Sequence, residues 1–251
     1  MVINQIIDRF DETHKRPRFK RITSGENILV FAPHPDDEII GAGGTLLKHV
    51  AVGNPIHIVF VTDGRKGRSH KQTSDEIIAI RKNEAIIVCE RLGATYTFLG
   101  CEDGNYKPEQ TKIEVIKNLI KDLNPSDIFL PHSNDSHRDH FITNLLFYLS
   151  IDSMEASNRS IWEYEVWAPL IPNTVINISN EFTKKNDLMC IYKSQLQLIS
   201  YLEIMEGLNK YRVSAIPIKG ITHVEAFYCS SEPVYKDKIK RLFVEAKGSD
   251  G

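Results

Sequence analysis

Short, branched apolar runs recur along the chain, separated by stretches whose apolar residues are spaced as in amphipathic or buried helices. Residues 27–33 (NILVFAP) and 56–62 (IHIVFVT) are almost continuously apolar, and 96–99 and 127–131 (DIFLP) repeat the pattern in shorter form. Such runs are what strands buried on both faces of a parallel sheet require. Between them the spacing predicts helices over roughly 43–52, 74–92 and 111–123, the second opened by Thr73-Ser74-Asp75-Glu76, which fits a capping box. Farther on, 141–150 reads as a helix, 161–170 and 174–178 as strands, 181–207 as one long helix and 221–229 as a last strand.

Alternating strands and helices predict an α/β fold: a Rossmann-like, doubly wound, mostly parallel sheet flanked by helices. A chain of 251 residues suits a single domain over 1–251, with a core at about 25–230. Residues 1–24 are expected to be a lead-in and 231–251 a polar tail, frayed after Val244.

Composition narrows the partners. Hydrophobic content of 41% and charged content of 25% are those of a globular protein, and no run is long enough to span a bilayer. A net charge of −2 leaves no electrostatic footprint for nucleic acid. The first residues lack a secretory signal, which predicts a cytoplasmic protein, and Cys89, Cys101, Cys190 and Cys229 lack metal-binding spacing, so they read as reduced thiols. No membrane partner is expected, and homo-oligomerisation is left open.

Two polar clusters change the picture. FAPHPDDEIIGAGG at 31–44 places His34, Asp36, Asp37 and Glu38 directly behind the first strand, and HSNDSHRDH at 132–140 follows the fourth. In a sheet with the common strand order 3-2-1-4-5, strands one and four are neighbours, and ligands bind where the loops leave their carboxyl ends. A His/Asp pair and a distant His would then meet. Imidazole nitrogen and carboxylate oxygen suit Zn²⁺, with other divalent metals as alternatives, and three protein ligands leave a position for water.

PHPDDE after the first strand, GGTL opening the next helix and H-x-D-H after the fourth strand resemble the PIG-L/LmbE-type N-acetylglucosaminyl deacetylases. Supporting stretches follow in the family's order: Arg81-x-x-Glu84, Phe98-Leu99-Gly100, Asp103-Gly104, Glu165-x-Trp167-x-Pro169, Ser194-Gln195 and Glu225-Ala226-Phe227. The resemblance implies a zinc-dependent hydrolase that removes an N-acyl group, most simply acetyl, from a small-molecule amino-sugar conjugate. It makes His34, Asp37 and His140 the metal ligands and Asp36 the general base. His137 would polarise the carbonyl or assist the leaving amine, with Asp139 orienting its ring, and Arg81 and Asp103 would contact the sugar.

Other features carry weaker expectations. Where Arg65 stands, family members often have an acidic residue. Arg65 and Arg68 on their glycine-rich loop therefore suggest an anionic substrate. Arg138 stands where proline is common. Arg81 and Glu84, three apart on an apolar helix, are equally readable as a buried ion pair. Alternative functions are an amidase using the same centre on a non-sugar amide, and a nucleotide-binding module using Gly41, Gly43, Gly44 and Asp63. Against the latter, Leu46 occupies the third fingerprint glycine position.

Overall fold

The computed structural model describes residues 16–67, 72–155 and 157–248, with side chains as far as Leu242. The strands that build the crevice are β2 (Ile28–Ala32), β3 (Ile56–Thr62), β4 (Thr95–Cys101), β5 (Asp127–Pro131) and β6 (Ser160–Tyr164). The helices between them are α1 (Asp37–Ala51), α2 (Ser74–Leu92), α3 (Gln110–Leu123) and α4 (Arg138–Ile151). Preceding these is β1 (Arg18–Lys20), and after them come β7 (Thr174–Asn177), β8 (Val224–Ser231) and the C-terminal helix α8 (Glu232–Gly248). Between β7 and β8 lie α5 (Phe182–Met189), α6 (Lys193–Leu196) and α7 (Tyr201–Tyr211), which runs into a 3-10 turn at Arg212–Ala215.

The strands form one sheet of order β1-β7-β8-β6-β5-β2-β3-β4. Its half from β4 to β6 is the expected 3-2-1-4-5 arrangement, all parallel. β8 runs antiparallel to β6 and β7, while β1 pairs parallel with β7 at the edge. The apolar runs are continuous because both faces are covered. Ile28, Val30, Ile58 and Phe60 face one side, under α1, α2, α5 and α7. Leu29, Phe31, Val59 and Leu130 face the other, under α3, α4 and α8.

Three expectations are corrected. The single helix over 181–207 is three helices, because the chain breaks helical geometry at Tyr192 (ψ 54°) and Ser200 (ψ 57°). Tertiary bonds compete there: the buried Tyr192 hydroxyl donates to Glu38, and the Ser194 N–H and hydroxyl donate to Glu84 at 2.8 and 2.6 Å. The strand expected over 161–170 stops at Tyr164, after which Glu165 turns to pair with Arg212 and accept the Leu170 N–H. The expected tail is α8, whose Tyr235 and Ile239 are buried against the α4 side of the core, and the lead-in contributes β1. A helix this rich in charge reads as a polar tail, and Tyr235 and Ile239 are the apolar stripe that holds it to the core.

α1 lies unusually close to its neighbours. A Cβ on Gly41 would come 2.1 Å from the Tyr164 ring, and one on Gly44 would come 2.6 Å from Ile178. A buried ion pair also enters this helix. Lys185 Nζ donates to the Ile40 carbonyl at 2.9 Å and pairs with Glu225 at 2.7 Å, while Glu225 accepts the Gly44 and Thr45 N–H groups. The Ile40 carbonyl and the Gly44 and Thr45 N–H groups thus each have a buried side-chain partner.

Candidate metal centre

β2 and β5 are adjacent and parallel, so the loops leaving their carboxyl ends share one edge of the sheet. The β2 loop delivers His34, then Asp36 at the N-cap of α1, then Asp37 in its first turn. The β5 loop delivers Asp135, then His137 at the N-cap of α4, then Asp139 and His140 in its first turn. Asp36 has φ 132° and ψ −29°, a conformation that costs a non-glycine residue about 1–3 kcal/mol. Its surroundings hold it there. Glu38 accepts the Asp36 N–H at 3.1 Å, and Arg81 contacts the Asp36 carboxylate at 3.2 Å while donating to the Pro35 and Gly64 carbonyls at 2.8 and 3.2 Å.

One oxygen of Asp37 joins the two loops. Asp37 Oδ2 lies 3.1 Å from His34 Nδ1 and 3.3 Å from His140 Nε2. Ligands about 2.0–2.1 Å from a tetrahedral zinc are separated by about 3.3 Å, so both spacings are those of ligand edges. The far nitrogen of each imidazole meets carboxylates: His34 Nε2 lies 3.3 Å from Asp139 and 3.4 Å from Asp103, and His140 Nδ1 lies 3.3 Å from Asp135. A carboxylate behind the imidazole fixes which nitrogen is free to bind a metal. His140 is fully buried, yet neither ring nitrogen has a hydrogen bond of good geometry. Orphaned His140 nitrogens facing Asp37 and Asp135, with His34 beside them, form a donor set that a divalent cation would satisfy.

Other groupings of donor atoms are tighter on distance alone. Among the described residues, His34, His137 and His140 fall mutually within 4.8 Å, as do His34, Asp103 and Asp139. The trio of His34, Asp37 and His140 does not meet that criterion, and the two imidazole centroids stand 5.6 Å apart. In the competing groups, His34 Nε2 already faces two carboxylates, and His137 Nδ1 accepts the Asp139 N–H at 3.2 Å.

The electrostatics follow from burial and crowding. Burial would raise the Asp37 pKa, but His140 and His34 beside it hold it well below the usual carboxylate range. Burial pushes the Asp36 carboxyl up to about 7 against the pull of Arg81. Burial likewise pushes Glu38 up to about 8, a shift eased by Tyr192. In His34 and His140, burial works against protonation, but the flanking carboxylates raise both pKa values. His137 moves the other way, through burial and the neighbouring histidines.

The remaining candidates are distributed differently from expectation. His137 is half-buried, lines the cavity over the centre and stacks on Trp167 with centroids 6.3 Å apart. Asp139 does not orient His137 through its carboxylate; from the first turn of α4 the side chain reaches back to His34 and to Gly104 N, which donates at 2.7 Å. Arg81 and Asp103 line the cavity, but both are engaged in the protein, Arg81 as above and Asp103 with His34 and the Lys66 N–H. Arg81 and Glu84 do not pair with each other; Glu84 turns to Ser194. Arg65 is held by Asp63 at 2.6 Å and Glu102 at 3.6 Å, and Arg68 lies outside the described residues.

His132 turns away from the centre, its Nε2 meeting the Ala168 carbonyl at 2.9 Å. Asp63, the ribose carboxylate of the nucleotide reading, accepts the Arg65 N–H of its own loop and the Asp103 N–H of the loop after β4. Asp135 had no assigned role. It accepts the His137 and Trp167 N–H groups, each at 3.0 Å, while facing His140. The D-x-H spacing of an Asx turn was the available signal.

Residues 29–149 match the family profile described as PIG-L: GlcNAc-PI de-N-acetylase, a span containing both loops. A Bacillus cereus protein named "Probable N-acetyl-alpha-D-glucosaminyl L-malate deacetylase 2" is 28% identical over 190 residues, covering 68% of this chain and 84% of its own length. The 4-oxalmesaconate hydratase of Pseudomonas putida is 25% identical over 126 residues, 48% of each chain. Among solved structures, N,N'-diacetylchitobiose deacetylase from Pyrococcus horikoshii superposes with a TM-score of 0.76 at 20% identity, over 92% of this chain and 94% of that one. At that identity the likeness concerns the fold.

Proposed function

The chain belongs, through residues 29–149, to the PIG-L family of de-N-acetylases, and from that premise we propose that it is a zinc-dependent hydrolase removing an N-acetyl group from an amino-sugar conjugate. The observation that carries the reading is the single Asp37 oxygen set 3.1 and 3.3 Å from two imidazoles, with the Asp36 carboxylate on the adjoining residue. His34, Asp37 and His140 hold the ion. When bound, zinc lowers the pKa of water toward neutrality and polarises a carbonyl oxygen.

The chain's own groups do the rest. Asp36, kept in a strained backbone conformation by Arg81 and Glu38, accepts the proton of the attacking water as its oxygen bonds to the amide carbon. His137, at the cavity edge, donates a hydrogen bond to the carbonyl oxygen, and the proton that Asp36 took from water passes to the nitrogen as the C–N bond breaks. The products are a free amine and acetate. Trp167, stacked on His137, offers a face for the sugar ring. Four free cysteines support a reducing, cytoplasmic setting.

A second reading has one observation in its favour, the similarity to a hydratase, and would use the same centre to add water to a carbon–carbon double bond. Purified protein loaded with zinc, given N-acetylated amino-sugar glycosides, simple N-acetyl amides and unsaturated dicarboxylates, separates these readings. Acetate release from the sugars is expected. Asp36→Asn should keep about one zinc per chain and lose on the order of 10²–10⁴ in turnover. Full activity in that variant would sink the mechanism, and hydration without acetate release would favour the second reading.

A further inference from the structure

The cavity over the metal centre has a volume of about 490 Å³ and an acidic floor, yet its rim carries two cations with no part in amide hydrolysis, Lys66 and Arg138. The Lys66 N–H donates to Asp103 at 2.9 Å, which anchors the residue at the cavity wall. Its side chain lies across Gly104, so closely that a Cβ there would come 1.9 Å from Nζ. Gly104 has φ +72°, a conformation that favours glycine. Among the described residues the Lys66 ammonium has no hydrogen-bond or ion-pair partner.

Arg138 opens α4 on the other side of the same peptide. Its Nη2 donates to the Tyr106 carbonyl at 3.0 Å and its Nη1 lies 3.4 Å from Asp139 Oδ1, while 47% of the side chain stays exposed. Gly104 N donates to the other oxygen of Asp139, so Lys66 and Arg138 flank one short segment. Asp139 lies between them and meets Arg138, but its other oxygen serves His34 and the Gly104 N–H, so the exposed ends of Lys66 and Arg138 keep charge to offer an anionic visitor. Arg65, the more obvious cation of the loop, is already neutralised by Asp63 and Glu102.

We propose that Lys66 and Arg138 form a subsite for an anionic group, a carboxylate or a phosphate, carried by the part of the substrate beyond the amino sugar. The subsite makes the enzyme selective for acidic conjugates over neutral ones. It rests on the deacetylase reading above. The fixed guanidinium supplies directed donors and the free ammonium supplies charge that can follow the ligand.

The test uses three N-acetylglucosamine glycosides, whose aglycones end in a carboxylate, in the methyl ester of that carboxylate, or in a phosphate. Wild-type kcat/KM should be about tenfold or more higher for an acidic probe than for the ester, and the ratio should fall as salt rises. In Lys66→Met and Arg138→Met the ratio should drop about tenfold each, mainly through KM. Whichever acidic probe is preferred identifies the group. Equal wild-type rates for acidic and neutral probes, or ratios unchanged in both variants, overturn the proposal.

The wild-type ratio and its salt dependence stand even if a variant fails to fold. Binding of the same probes to zinc-loaded Asp36→Asn, measured by calorimetry, separates the two readings. No acetate from any probe defeats the deacetylase reading, whereas equal affinity for ester and acids defeats the subsite.

Discussion

Replacing Asp135 with asparagine tests whether the centre is organised as the geometry implies. Asp135 Oδ1 accepts the His137 N–H at 3.0 Å, and Oδ2 accepts the Trp167 N–H at 3.0 Å while standing 3.3 Å from His140 Nδ1. Burial works to raise the pKa of this carboxyl, but His140 and the two N–H groups hold it below the ordinary value. Asparagine offers only one oxygen for these roles. With its oxygen toward His137, the amide NH₂ faces Trp167 N–H and His140 Nδ1, which drives the imidazole proton to Nε2, the nitrogen that faces Asp37. With the oxygen the other way, the buried His137 N–H loses its acceptor.

Either orientation costs about 1–3 kcal/mol for an unsatisfied group. Loss of a carboxylate behind a ligating histidine lowers metal affinity about 10–100-fold, or roughly 1.4–2.7 kcal/mol. Competition for zinc against a chromophoric chelator, with apo and loaded thermal unfolding measured alongside, reads both effects. Zinc affinity in Asp135→Asn within about threefold of wild type would refute this reasoning and leave Asp135 as a loop residue only.

Arg81→Met removes the clamp on Asp36 and leaves a buried carboxylate without its partner, at a cost of about 3–5 kcal/mol. Calorimetry should show a Tm roughly 6–20 °C lower; a shift under about 2 °C would return Arg81 to a substrate-contacting role. His49 is buried, with Thr23 and Asn54 on its ring nitrogens, and burial lowers its pKa from 6.5 to about 4, against the pull of Asp127. The unfolded chain therefore binds more protons between those values, so this contribution to stability is present above pH 6.5 and is lost as pH falls toward 4. Between pH 7 and pH 5 the loss is about 2 kcal/mol. Urea unfolding of His49→Gln at both pH values should show a correspondingly smaller change than wild type, and identical changes would contradict the assignment.

Much of the fold was legible in the order of apolar runs. Four strands and their intervening helices were placed by local pattern, and the right order of β4 to β6 followed from the winding of parallel strands. The long segment 181–207 was not legible in that way. Its helical periodicity is real, but the break at Tyr192 accompanies bonds from Tyr192 and Ser194 to Glu38 and Glu84, residues more than a hundred positions earlier. The C-terminal helix was missed for a related reason, since among its described residues the stripe reaching the core is short, Tyr235, Ile239 and the partly buried Leu242.

By itself the sequence determined which residue types gather behind the first and fourth crevice strands, and therefore that histidine and carboxylate would meet on one edge of the sheet. Only the tertiary structure decided how they divide. Asp135, not Asp139, stands behind His140; Asp139 and Asp103 stand behind His34; and Arg81 holds Asp36. It also set aside Arg65 and brought forward Lys66 and Arg138 at the cavity rim. The physical reason is that a strand's own sequence fixes where its loop begins and what it carries, whereas the partner of each side chain depends on where neighbouring elements end.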